Sequence, residues 1–169
     1  EGLLGVITEV TVKILKKPQT VKAALIGFPS IEDGGSCVSE IISNGIVPAG
    51  MEIMDKALIE ATDKFCKAGY PRNAEALLIV ELDGTNSEVD ELIKNVGEIA
   101  KKNNSSSIKL SKNEKERLTF WAGRKAAFPA MGAMAPDYYC MDGSIPRGKL
   151  AEVLKEIKRL SKEYNLPVA

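Results

Sequence analysis

Histidine is absent from the 169 residues of this chain. It is the side chain whose ordinary pKa lies nearest neutrality, so its absence excludes Ser/His/Asp and Cys/His triads, imidazole proton shuttles and most zinc or haem ligation within these residues. Cysteine is scarce. Cys37, Cys66 and Cys140 form no CxxC and leave one thiol over in any disulfide scheme, a pattern of reduced core cysteines that points to a cytoplasmic compartment. Excess charge is missing too, because 23 basic and 23 acidic side chains cancel. The basic residues come as the pairs Lys16-Lys17 and Lys101-Lys102, or alternate with Glu114 and Glu116 between Lys112 and Arg117. That is the pattern of solvated faces and not of a nucleic-acid-binding patch. Nor does any stretch approach the roughly 20 consecutive apolar residues of a membrane-spanning helix, and no signal peptide is visible.

The hydrophobic fraction of 44% is that of an ordinary globular domain with a real core. Val6, Thr8, Val10, Val12 and Ile14 alternate with Ile7, Glu9, Thr11 and Lys13, the period of a half-buried strand, and Lys16-Lys17-Pro18 ends it. Further strands are predicted at Val21–Phe28, Met51–Met54, Ile108–Leu110 and Tyr138–Met141. The continuous apolar run Ala76-Leu77-Leu78-Ile79-Val80, closed by a turn at Asp83-Gly84, predicts a central strand buried on both faces.

Helices are predicted over Ile31–Ser43 behind a Ser30 cap, from Asp55 through Cys66 to a left-handed stop at Gly69, and from a Thr85/Glu88 capping box to Asn103. Two more follow, at Asn113–Phe128 and after Pro146 along the stripe Leu150, Val153, Leu154, Ile157 and Leu160. Between them Pro129–Pro136 reads as an apolar loop suited to a pocket wall or a subunit contact. The mixture is α+β, with Pro18 as a domain joint. The start in mid-pattern without Met, and a last stretch Leu166-Pro167-Val168-Ala169 that looks like the beginning of another strand, read as truncation at both ends.

Three places could carry chemistry. Gly2-Leu3-Leu4-Gly5 sets two glycines three apart before a strand, which lets backbone amides approach a ligand closely, although a plain tight turn has the same look. Arg124, in Phe120-Trp121-Ala122-Gly123-Arg124-Lys125, can clamp a carboxylate bidentately. A surface arginine whose stem packs on Trp121 fits the residues equally well. Tyr138, Tyr139 and Asp142 flank the same apolar loop and could contact a ligand or simply pack. Asp55 is best explained as a helix cap, and with Glu52 it makes no convincing catalytic carboxylate pair.

Taken in order, Gly2-Leu3-Leu4-Gly5-Val6-Ile7-Thr8-Glu9, Arg124-Lys125-Ala126-Ala127-Phe128-Pro129-Ala130 and Tyr138-Tyr139-Cys140-Met141-Asp142-Gly143-Ser144-Ile145-Pro146-Arg147 resemble the FAD-linked oxidases of the vanillyl-alcohol oxidase superfamily. The likeness is to its glycolate oxidase and D-lactate dehydrogenase group. The resemblance implies that residues 1–18 are the last strand of an FAD-binding domain and residues 19–169 a substrate or cap domain. For the latter it implies a ferredoxin-like antiparallel or mixed sheet with helices on one face.

It further implies that Gly2, Gly5, Val6 and Ile7 touch FAD, that Arg124 and Tyr138 bind a small 2-hydroxy-acid substrate, and that no catalytic residue or metal ligand lies in this chain. The family's histidines are expected in a segment past Ala169. The parent would oxidise a 2-hydroxy acid to a 2-oxo acid, and this chain alone would be inactive. The electron acceptor is open, an iron–sulfur partner subunit and a homo-oligomer are both compatible, and a cytoplasmic protein peripheral to the inner membrane through partners is expected. The alternative is a non-catalytic ferredoxin-like ligand-binding or interaction domain.

Overall fold

Two apolar strands form the middle of the sheet. In the computed structural model, which describes residues 3–169, β1 (Thr20–Phe28) and β3 (Ala76–Gly84) run antiparallel, with Thr20 opposite Gly84 and Phe28 opposite Ala76. β2 (Gly50–Asp55) lines the outer edge of β3, and β4 (Ser107–Leu110) the outer edge of β1. The order is β2-β3-β1-β4, antiparallel at every contact. α1 (Ile31–Ser43) links β1 to β2 across the position that β3 fills, and α3 (Asn86–Lys102) links β3 to β4 across β1. These two split βαβ units are the ferredoxin-like topology, so the predicted α+β class and sheet type are observed. α2 (Lys56–Cys66) is an additional helix between β2 and β3.

Strand period decides what each side of the sheet needs. Ala24, Ile26 and Phe28 with Leu78, Val80 and Leu82 point to one face, where Cys37, Val38 and Ile41 of α1 and Val89, Ile93 and Val96 of α3 cover them. Ala23 and Leu25 with Leu77 and Ile79 point to the other, where they meet Met54, Ile59, Tyr70 and Phe120. Both faces are apolar, so both must be covered. The expectation of helices on one face is therefore corrected: α1 and α3 share a face, while α2 and α4 (Glu114–Lys125) pack on the other.

Local signals work as anticipated at several helix ends. The Ser30 hydroxyl accepts from the Asp33 N–H, the Asp55 carboxylate from the Leu58 N–H, and Thr85 and Glu88 form a reciprocal capping box. α2 stops at Cys66 with Lys67 itself left-handed, φ 52°, ahead of Gly69. Gly35, a poor residue for a helix interior, sits where α6 (Leu150–Glu163) crosses α1: a Cβ there would lie 2.9 Å from the Ala151 side chain.

Three expectations fail. Residues 5–18 form no strand, and Val6 and Ile7 are both exposed, so the alternation separates no buried face from a wet one. No strand of the sheet pairs with this stretch, and a strand needs a partner for its N–H and C=O groups. Pro129–Pro136 is not a loop but most of α5 (Ala127–Met134), since Ala and Met favour helix and Pro129 lies in the first turn, where no N–H is needed. Tyr138–Met141 pairs with no strand and is exposed. Residues 166–169, expected to lead into a further strand, carry no regular structure of their own.

Candidate functional site

α4 lays one stripe, Arg117, Trp121 and Arg124, along the second face of the sheet at helical spacing. Beneath it the strands present two carboxylates, Glu81 on β3 and Glu52 on β2. Gly50 pairs with Glu81 and Glu52 with Ile79, so the two acids are diagonal neighbours on one face.

Arg117 Nη1 and the Trp121 indole N–H both donate to Glu81 Oε2 at 2.7 Å, and Arg117 also pairs with Glu114 at 3.1 Å. The Trp121 ring occupies the space that a side chain at position 50 would need, with Cη2 only 3.2 Å from where a Cβ would stand. Arg124 meets Glu52 through Nε, 3.1 Å from Oε2.

The helix backbone is fixed from below by Tyr70. Its buried hydroxyl donates to the Phe120 carbonyl at 2.6 Å and accepts from the Gly123 N–H at 3.0 Å. Such contact is open only to glycine at position 123, because a Cβ there would fall 2.4 Å from the Tyr70 hydroxyl. Burial pushes the Tyr70 phenol up to about 12, so it stays a neutral donor and acceptor. Tyr70 is itself held, since Asp63 Oδ1 accepts the Gly69 and Tyr70 N–H groups at 2.7 and 3.1 Å.

The two arginines of the stripe differ. Arg117 has two carboxylate partners and a side chain only 17% exposed, and Glu81 foremost raises its pKa further. It is a structural clamp. Arg124 has one carboxylate partner among the described residues, an ion pair through Nε, and is 40% exposed; none of its guanidinium nitrogens makes a directed hydrogen bond among those residues. Its guanidinium can therefore meet an incoming anion from a helix turn whose backbone Tyr70 pins through two hydrogen bonds. The reading of Arg124 as an arginine merely packed on Trp121 leaves out its ion pair with Glu52.

The remaining site residues are not gathered around it. Tyr138 is half-exposed beside Phe128, ring centroids 6.5 Å apart and tilted by 31°, and no hydrogen bond joins it to Arg124. Gly5 has open space around it, and Val6 and Ile7 are exposed. Gly2 lies outside the described residues. A flavin fits this stretch only as one wall of a site, because the backbone of residues 5–18 makes no backbone hydrogen bond among the described residues and Val6 and Ile7 are exposed. Sequence reasoning missed Tyr70, Glu81 and the partnership of Glu52 with Arg124. The available signals were Gly50 and Gly123, two glycines inside regular elements, each marking a close approach.

Residues 17–169 match the family described as FAD linked oxidases, C-terminal domain. The whole chain is 52% identical to "Glycolate oxidase subunit GlcD" of Escherichia coli K12, of which it covers 34%. It is 30% identical over 99% of its length to the Bacillus subtilis protein of the same name, covering 36% of it. To the "D-lactate dehydrogenase" of Anaerostipes hadrus it is 28% identical over 99%, covering 37% of that protein. The chain thus spans about a third of the length of these relatives. Among solved structures, alkyldihydroxyacetonephosphate synthase shares the fold, with a TM-score of 0.60 at 16% identity over 86% of this chain and 31% of the other.

Proposed function

This chain belongs to the family of FAD-linked oxidase C-terminal domains, and on that premise we propose that it is the substrate domain of a flavin-dependent 2-hydroxy-acid oxidoreductase of glycolate or D-lactate type. On this reading residues 19–169 cap the active site, and residues 1–18 become the last strand of a preceding FAD-binding domain when that domain supplies the edge that residues 5–18 lack here. The exposed apolar residues on both sides of that stretch favour the assignment, for a strand placed inside a second domain would bury them.

The observation that carries the proposal is Arg124. A half-exposed guanidinium with a single carboxylate partner projects from a helix turn that Tyr70 locks in place. Bound FAD would supply the two-electron acceptor that turns the hydroxy acid into the 2-oxo acid. Arg124 neutralises the substrate carboxylate and fixes its orientation, a positioning role without proton transfer. Tyr138, paired with Phe128 and not joined to Arg124 here, is placed at the outer rim of the same substrate site. Gly2, Gly5, Val6 and Ile7 line the flavin through their backbone. We assign the acceptor of the hydroxyl proton to a part of the protein outside this chain, which carries no histidine, and on this reading the 169 residues alone are inactive. We place the protein in the cytoplasm, reaching any membrane through a partner that takes its electrons.

The test is Arg124→Lys in the flavin-loaded full-length protein. Lysine keeps the charge and loses the planar fork, so KM for the 2-hydroxy acid should rise at least about tenfold, the equivalent of one charge-assisted hydrogen bond. An unchanged KM would overturn the assignment.

A further inference from the structure

We infer that Glu52 is a positioning residue for the substrate carboxylate: by holding Arg124 at Nε it aims the Nη1/Nη2 end of the guanidinium outward as a two-pronged clamp. The inference rests on the assignment of Arg124 as the carboxylate binder. A guanidinium offers distinct edges, and one carboxylate on the Nε side leaves the terminal pair free for a second in parallel geometry. Arg124 has this arrangement as an ion pair, with Glu52 Oε2 3.1 Å from Nε, and none of its guanidinium nitrogens makes a directed hydrogen bond among the described residues.

The pair is not needed to hold α4 down. Tyr70 on the helix backbone, Trp121 over Gly50, and the bonds of Arg117 and Trp121 to Glu81 already do so. With both side chains 40% exposed, the Arg124–Glu52 pair adds little to stability. It fixes direction instead. Without Glu52 the next carboxylate on this face is Glu81, one step diagonally across the ladder, whose Oε2 is occupied but whose Oε1 has no partner among the described residues. Arg124 would then fold inward onto Glu81, and the clamp would turn away from the substrate.

Positioning and bare charge predict opposite signs. Glu52 is an anion near a site for anions, so on Coulomb grounds its neutralisation should tighten substrate binding. A positioning role predicts weaker binding. In the flavin-loaded full-length protein, Glu52→Gln should raise KM for D-lactate or glycolate about tenfold with kcat nearly unchanged, and Glu52→Asp should recover part of the loss. In an Arg124→Met background Glu52→Gln should change KM no further, since its effect passes through the arginine. In the 169-residue chain itself, the Nε–H signal of Arg124 in a nitrogen-15 NMR spectrum should be ordered, and it should become mobile in Glu52→Gln while the melting temperature holds.

A KM that stays the same or falls in Glu52→Gln, while Arg124→Lys still raises it, overturns the role of Glu52 alone. A KM indifferent to both substitutions overturns the assignment of Arg124 as well. An Nε–H equally ordered with and without the Glu52 charge also refutes the inference.

Discussion

Tyr70→Phe removes one oxygen and tests whether the tyrosine anchors the helix turn that carries Arg124. The phenylalanine ring keeps the packing against Gly123, while the bonds to the Phe120 carbonyl at 2.6 Å and from the Gly123 N–H at 3.0 Å are lost. Two hydrogen bonds at about 1 kcal/mol each give about 2 kcal/mol, and the two backbone groups left dry beneath α4 bring the cost to about 3 kcal/mol. With the usual urea dependence this lowers the unfolding midpoint by about 1 M, with the slope unchanged.

Trp121, the only tryptophan, lies on the same helix, so its fluorescence and the far-UV circular dichroism should report one coincident transition. The pH dependence gives a second handle. Burial raises the Tyr70 phenol from 10.0 to about 12, so its stabilisation is complete below pH 10 and is lost as pH climbs through about 12. Tyr70→Phe abolishes that share of the alkaline loss. What remains includes the share of Cys37, whose thiol is raised from 9.0 to about 12 by burial and then by the Glu40 charge and whose window therefore opens at pH 9, together with those of Lys56 and Lys149, raised by Glu75 and Glu152.

Gly123→Ala should cost more than Tyr70→Phe, because the new methyl group would stand 2.4 Å from the tyrosine, yet little in a Tyr70→Ala background where the ring is gone. The anchoring role is refuted if Tyr70→Phe unfolds within about 0.5 kcal/mol of the parent, the scatter typical of uninvolved sites. It is refuted equally if Gly123→Ala costs the same with and without the ring.

Thr85→Ala breaks the capping box of α3, in which the Thr85 oxygen accepts from the Glu88 N–H and the Glu88 carboxylate accepts from the Thr85 N–H. Calorimetry should find the melting temperature lower by about 2–4 °C. The Thr85 hydroxyl first, then its N–H, holds Glu88 below the usual carboxylate range. That contribution is full above the ordinary carboxylate pKa and disappears as pH falls through the depressed value, so the acid limb of the stability curve should be flatter in the variant. The cysteines should separate kinetically. A maleimide at pH 7 should label exposed Cys140 in the folded chain and buried Cys37 only on unfolding, read by peptide mass spectrometry, and equal rates would contradict the packing described for α1.

Legibility followed the range of the interaction. Helix ends set by contacts within four residues were readable: Ser30 with Asp33, Asp55 with Leu58, Thr85 with Glu88. The doubly buried β3 was readable from its unbroken apolar run. The stretch from Val6 to Ile14 has the right period yet is no strand here, because period is a property of the segment and pairing a property of its neighbours. Pro129 misled in the other direction, since a proline stops a helix only past its first turn. At the site, Arg124 stood out as a residue type in an apolar setting. Its partner Glu52 lies 72 positions earlier in the chain, and no local pattern joins the two.

By itself the sequence determined the α+β class, the capped helices, the exclusion of histidine chemistry from these residues and the arginine that fits a carboxylate. All of these follow from composition or from neighbours a few residues apart. Only the tertiary structure decided which arginine is free. Arg117 and Arg124 are two turns apart on one helix and equal in charge, and they diverge because β2 and β3 set one carboxylate under each of them, while Glu114, on the helix itself, adds a second to Arg117 alone. Strand register, together with the glycines that let Trp121 and Tyr70 come close, brings α4 near enough for that difference to arise.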